Sequence, residues 1–303
     1  HKGVYMLSFL PGPVRALICF LLYLVNTLFW IGPLLVVSLL KLLIPFKFWQ
    51  YISRLVIDFI ATCWVDFNNF NLWLVHNPKV EATGLDKLEN CKWYVVVSNH
   101  QSWVDILILQ KLLLRRIPFL KFFLKQELIW VPLMGLAWWA LDFPFMKRYS
   151  SSFVKKNPHL KGKDIEITRK ACAKFQTIPV SIVNFVEGTR FTPQKHQRQN
   201  SPFNHLLRPK AGGIAFVLSS MGNMITGIVN VTIAYPQGPK TFWQYLCGEV
   251  KEVKVNVEVI PVSDEIIGDY YEDETFRERF QNWVNELWVN KDRKLASMLA
   301  NES

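Results

Sequence analysis

No C-x-x-C pair occurs in this chain, and its five cysteines (Cys19, Cys63, Cys91, Cys172, Cys247) are an odd number scattered far apart. That argues against a disulfide framework and against a zinc site built on paired cysteines, and fits a reducing, cytoplasm-facing environment. No His pair at i, i+4 and no carboxylate cluster accompanies His76, His159, His196 or His205, so no metal site is expected. A G-x-S-x-G turn is missing, which disfavours a soluble serine hydrolase. Internal repeats and low-complexity tracts are missing too. Charge is absent from Ala16 to Leu40, between Arg15 and Lys41.

At about 1.5 Å per helical residue, those 25 or so residues reach about 37 Å, enough to cross a hydrocarbon core of about 30 Å. The stretch is too long for a signal-peptide core. Asn26, Gly32 and Pro33 interrupt it, so a kinked or shallowly inserted helix is an alternative to a spanning one. The next stretch, Phe46 to Val75, carries Asp58 and Asp66 and reads as a helix lying at the membrane interface or packing on the first. Lys41, Lys47 and Arg54 outnumber Lys2 and Arg15, which places the downstream side in the cytoplasm. A membrane localisation is expected, the inner membrane if the source is bacterial.

Half of the 303 residues are hydrophobic, 12 are Trp, and the formal charge is +11. Such a charge calls for an acidic partner: nucleic acid, an anionic lipid headgroup or a phosphorylated substrate. No nucleic-acid partner is expected, because the basic residues are scattered and adjoin aromatic, lipid-like stretches.

After Asn77-Pro78, short β-branched runs alternate with helical patterns, the signature of an α/β domain. The chain divides into hydrophobic membrane-anchoring helices over residues 1–76 and an α/β domain over 77–303. Strands are expected at Val80–Thr83, Trp93–Ser98, Ser181–Val186, Gly227–Ala234 and Val253–Ile260. Helices are expected at Trp103–Leu114, Ile165–Phe175, Gly212–Met221 and Thr275–Trp288, the last with a clean apolar stripe. The Trp-rich segment Leu128–Met146 is too short and broken to span a bilayer, and reads as an acyl-chain groove or an interfacial patch.

Two polar motifs follow apolar strands. Asn99-His100-Gln101-Ser102-Trp103-Val104-Asp105 follows the first; Glu187-Gly188-Thr189-Arg190 follows the second. On one straight helix, His100 and Asp105 would point about 140° apart. They meet if His100 lies on the loop leaving its strand and Asp105 in the first turn of the next helix. The carboxylate then fixes the imidazole tautomer, and the other ring nitrogen is free to take a proton. This is triad logic with the nucleophile replaced by the substrate's own hydroxyl. The alternative is a helix-capping Ser102 or Asp105 beside an incidental His. Glu-Gly-Thr-Arg supplies a guanidinium fork, a flexible Gly and backbone donors, which suit a phosphate monoester. Its alternative is a surface turn with an internal Glu–Arg pair.

In combination, His-x4-Asp followed about 85 residues later by Glu-Gly-Thr-Arg closely resembles the glycerolipid acyltransferase family, whose best-known members act on lysophosphatidic acid. Lys125-x-Glu127-Leu128 with Pro132 and Gly135 resembles the family's K-x-E-L-x-x-x-P-x-x-G block. Phe145-Met146-Lys147-Arg148 sits where the family carries its acceptor-binding element. One departure lies at Val229-Asn230-Val231-Thr232-Ile233-Ala234-Tyr235-Pro236, where the first Pro of the family's V-P-x-x-[IV]-P block is absent.

The resemblance implies a mixed α/β sheet flanked by helices, with an N-terminal membrane-binding segment. By position it makes His100 the general base and Asp105 its orienting partner. Glu187, Gly188, Thr189 and Arg190 would bind the acceptor, with Lys125 and Arg148 as further contacts. The donor implied is a thioester, acyl-coenzyme A or acyl carrier protein, with no cofactor or metal. The acceptor implied is lysophosphatidic acid, giving phosphatidic acid. Lysophosphatidylglycerol or lysocardiolipin is the alternative, and a non-catalytic lipid-binding member of the fold a more distant one.

Overall fold

A computed structural model describes residues 7, 9–76, 78–146, 175 and 178–300. The uncharged stretch forms one helix, α1 (Gly12–Leu43), which starts with Pro13 in its first turn and continues through Asn26, Gly32 and Pro33. Among the described residues, α1 is the one helix long and apolar enough to cross a membrane. Asn26 is not a break but a clasp. Its Nδ2 donates to the Trp64 carbonyl at 3.0 Å and to Asn68 Oδ1 at 2.9 Å, both on α2 (Lys47–Val75). The two helices bury Ile31, Leu34, Ile57, Ala61 and Trp64 against each other and against 137–143. Their outer faces stay apolar and exposed at Val25, Phe29, Phe59, Phe67, Phe70 and Trp73, the pattern of a lipid-facing surface.

Beyond them, the remaining elements follow in the order β1 (Lys79–Thr83), β2 (Trp93–Ser98), α3 (Val104–Leu113), β3 (Leu120–Phe122), β4 (Leu124–Lys125), α4 (Met134–Ala140) and β5 (Phe145–Met146). Then come β6 (Ser181–Phe185), α5 (Pro193–Gln199), α6 (Gly212–Met221), β7 (Ile225–Ala234), α7 (Phe242–Leu246), β8 (Glu252–Pro261) and α8 (Glu274–Ala300). Six strands make one mixed sheet in the order β1-β8-β7-β2-β6-β3, while β4 and β5 pair separately. Strands β3, β6, β2 and β7 run parallel; β8 is antiparallel to β7 and carries β1 parallel to itself.

The central strand β2 explains its own sequence. Tyr94 and Val96 face a core shared with α3, whereas Val95 and Val97 face a core shared with α6 and α8. A strand covered on both faces reads as an unbroken apolar run rather than an alternating one. The five expected strands are present with small boundary shifts, and α6 has the expected limits. Helix α3 is one residue shorter at each end than expected. Helix α8 runs twelve residues past Trp288, to Ala300, because Leu295 continues the buried stripe in an otherwise polar stretch. The helix expected at Ile165–Phe175 lies outside the described residues except for Phe175. Strand β3 and helices α5 and α7 are three to seven residues long, too short for a periodic signal.

Candidate active site

Strands β2 and β6 are parallel neighbours with Ser98 opposite Phe185, so the residues that follow each strand emerge at the same rim. Asn99 is fully buried there, and its amide acts as a surrogate peptide for β7. The Ile233 N–H donates to Asn99 Oδ1 and Asn99 Nδ2 donates to the Ile233 carbonyl, each at 2.9 Å. The His100 N–H donates to Glu187 Oε1 at 3.0 Å, and the His100 carbonyl accepts from the Phe191 N–H at 2.7 Å. The His100 backbone is therefore held from three sides before its ring is considered.

The ring stacks on Phe185 with centroids 4.0 Å apart and planes 16° apart. Its Nδ1 lies 2.8 Å from Asp105 Oδ2, with His100 on the loop and Asp105 in the first turn of α3. Oδ2 also accepts the Gln101 N–H at 2.7 Å and the Ser102 N–H at 2.9 Å, while Oδ1 accepts the Tyr235 hydroxyl at 2.6 Å. Asp105 is fully buried, and these four donors make a buried anion tolerable. Burial and the Asp105 charge push the Tyr235 hydroxyl well above the usual phenol range, so Tyr235 stays a donor. Ser102 Oγ accepts the Val104 N–H at 3.2 Å from one residue ahead of the N-cap, Trp103, whose side chain makes no capping hydrogen bond; this local bond and the His–Asp pair coexist.

With Nδ1 turned to Asp105, Nε2 is the ring nitrogen without a protein partner among the described residues. The ring borders a cavity of about 420 Å³. Phe122, Leu128, Met134, Trp138, Leu141 and Phe143 form much of its wall, with Trp64 and Val65 of α2 closing it. The same 128–143 segment exposes Trp130, Val131, Leu136 and Trp139 on its other side. One segment thus supplies both a groove wall and an apolar outer patch, the two readings expected as alternatives. A pocket of this size with few polar groups suits an acyl chain.

The Glu-Gly-Thr-Arg turn separates into two parts. Glu187, expected to contact the acceptor, is instead fully buried, its Oε1 held by His100 N–H and its Oε2 by the Leu207 N–H at 2.9 Å. Burial pushes this carboxyl up to about 7, and the two backbone donors oppose that shift. With both oxygens committed inside the fold, Glu187 holds the His100 loop to the return of the chain at Leu207. Gly188 sits in the left-handed region at φ 68°, beneath the Lys210 side chain. Thr189 Oγ1 accepts from Lys195 Nζ at 2.7 Å, and Lys195 also donates to the Arg190 carbonyl at 2.9 Å. The exposed Arg190 guanidinium lies 4.9 Å over the ring of Trp103, which lines the cavity, so its charge stands at the cavity rim. Lys125 is exposed directly after Leu124, another lining residue; Arg148 lies outside the described residues.

Sequence reasoning missed Tyr235, Asn99 and Phe185. Tyr235 reaches Asp105 across 130 residues of chain, and only the pairing of β7 with β2 brings them together. Of the other histidines, His76 and His196 place Nε2 against the carbonyls of Val250 and Phe203, and burial pushes His76 down to about 4.

A family model described as Acyltransferase matches residues 79–235. Lysocardiolipin acyltransferase 1 from Gallus gallus is 26% identical over 269 residues, covering 83% of this chain and 66% of that protein. The 1-acyl-sn-glycerol-3-phosphate acyltransferase epsilon of Mus musculus is 22% identical over 232 residues, covering 69% and 59%. The chain thus spans between 59% and 66% of the length of these relatives. The crystal structure of the 1-acyl-sn-glycerophosphate acyltransferase PlsC from Thermotoga maritima shares the fold, with a TM-score of 0.56, 17% identity and coverage of 96% and 97%. The matched residues take in both strand ends and the whole His100 hydrogen-bond network, and the chain belongs to the acyltransferase family.

Proposed function

We propose that this protein transfers a fatty acyl group from a thioester to the free sn-2 hydroxyl of lysophosphatidic acid, giving phosphatidic acid. One observation carries the reading: an Asp105-oriented His100 whose ring borders an apolar cavity with a free guanidinium at the rim. The acceptor chain enters the cavity and its phosphate meets Arg190, with Lys125 and Arg148 as further candidate contacts. His100 Nε2 takes the hydroxyl proton as the oxygen attacks the thioester carbonyl. The carbon–oxygen bond forms, the tetrahedral intermediate collapses, and the carbon–sulfur bond breaks. The thiolate then takes the proton from His100, and Asp105 stabilises the imidazolium meanwhile. No covalent enzyme intermediate is required, because the thiolate leaves readily. The donor is acyl-coenzyme A or acyl carrier protein, and the site faces the cytoplasmic leaflet.

A second acceptor has support of its own. The relative named lysocardiolipin acyltransferase 1 matches 83% of the chain, and the Arg190 side chain is exposed rather than enclosed. The deciding experiment offers labelled acyl-coenzyme A with lysophosphatidic acid, lysophosphatidylglycerol and lysocardiolipin to the detergent-solubilised protein. Preference for the bare phosphate is expected; preference for a larger headgroup reassigns the acceptor.

Arg190→Ala tests the clamp separately. Losing a hydrogen-bonded charge contact is expected to raise the acceptor KM about 10- to 100-fold, with the thioester KM unchanged. Equal effects on both substrates would remove Arg190 from the acceptor site.

A further inference from the structure

Helix α8 lies outside the matched residues 79–235, and none of its residues lines the His100 cavity. It nevertheless buries two adjacent charged side chains, Lys291 and Asp292. The stripe of Phe276, Phe280, Val284, Trp288 and Leu295 already fixes the helix to the sheet. Burying a charged side chain costs free energy unless it is hydrogen-bonded, so adhesion alone does not account for these two.

Their partners do. Asp292 accepts the Asn204 N–H on Oδ2 and the His205 N–H on Oδ1, each at 2.9 Å. Two residues further on, the Leu207 N–H holds Glu187, which holds the His100 N–H. Lys291 Nζ donates to the Val231 carbonyl and, at 3.4 Å, to Thr232 Oγ1, near the end of β7. The next residue, Ile233, grips Asn99, the neighbour of His100, through both its N–H and its carbonyl. Two routes leave one dipeptide and converge on one histidine. We propose that Lys291 and Asp292 are positioning residues, a two-pronged brace by which α8 sets the His100 backbone through β7 on one side and through Glu187 on the other.

The brace carries charge as well as shape. Glu187 is faced by Lys291 from α8 and by Asp105 from α3; Lys291 is faced in addition by Glu258 from β8, and its ammonium lies over the Trp288 ring. Burial pushes Lys291 down to about 7 and Glu187 up to about 7, and each charge opposes the other's shift. Removing the cation raises the Glu187 pKa further. The carboxyl then stays protonated to higher pH and holds its two N–H donors less well.

The brace rests on the reading of His100 as the base, and the test uses the full chain in detergent with kcat, both KM values and the melting temperature measured together. Asp292→Asn keeps the shape but offers one acceptor oxygen to two N–H groups. It is expected to lower kcat about 10- to 100-fold through misplacement of His100, with both KM values within about twofold. Lys291→Met is expected to move the acid limb of the kcat–pH profile to higher pH, and Lys291→Arg to restore it. A normal kcat in folded Asp292→Asn, or superimposable profiles for Lys291→Met and the parent, overturns the brace. Asp292→Asn is nearly isosteric and decides the matter if Lys291→Met does not fold. An active His100→Ala protein would instead sink the base assignment itself, so the two failures are distinguishable.

Discussion

On the proposed reading of His100 as the base, His100→Ala is expected to lower kcat by about 1,000-fold or more, because the acceptor hydroxyl loses the group positioned to take its proton. The folded state is expected to survive. The loop is held by main-chain and neighbouring groups that the substitution leaves alone: Asn99 on Ile233, His100 N–H on Glu187, and Phe191 N–H on the His100 carbonyl. What is lost in stability is the ring's stack on Phe185 and its bond to Asp105. Asp105 keeps three of its four donors, so the buried anion is not orphaned. The measurement is single-turnover acyl transfer alongside a melting curve. Residual turnover within about 10-fold of the parent would be too fast for a site without its base and would move the base elsewhere.

This prediction draws on what could be read directly from the sequence. The strand-loop-helix placement of His100 and Asp105 follows from local pattern, since an apolar run, a polar break and a renewed helical period occupy consecutive residues. The Glu-Gly-Thr-Arg turn was legible as a motif but not in its division of labour. Nothing in four adjacent residues indicates that Glu187 turns inward to two backbone donors while Arg190 turns out to the rim. Which side each faces depends on the register of β6 against β2 and on the return of the chain at Leu207. The same holds for Tyr235 and Asp292, whose partners are 130 and 87 to 88 residues away. In the block Val229–Pro236 the sequence departs from the family by the absence of the first Pro. The structure shows that the informative residue there is the Tyr.

That Tyr governs the outcome of the second large-effect substitution. In a protease-type triad, replacing the Asp by Asn costs about 10⁴-fold because the amide lets the His adopt the wrong tautomer. Here the amide of Asp105→Asn has little choice of orientation. Three donors converge on the Oδ2 position: His100 Nδ1 and the N–H groups of Gln101 and Ser102. An NH₂ turned toward them would face two fixed backbone donors, whereas an NH₂ turned the other way meets the Tyr235 oxygen, which can accept. The oxygen therefore stays on the His100 side and the tautomer is preserved; only the negative charge that stabilises the imidazolium is lost. Asp105→Asn is expected to lower kcat by about 100-fold, the scale of losing one close opposite charge from a buried cation. Asp105→Ala removes the tautomer lock and the clamp on residues 100–102 together, and is expected to approach the about 10⁴-fold loss of the protease case. Pairing Asp105→Asn with Tyr235→Phe removes the acceptor that holds the amide in register. A further drop in the double variant, larger than the effect of Tyr235→Phe alone, is what orientation by Tyr235 requires. Additive losses would mean that the two backbone donors suffice, and that Tyr235 serves only to neutralise the buried carboxylate.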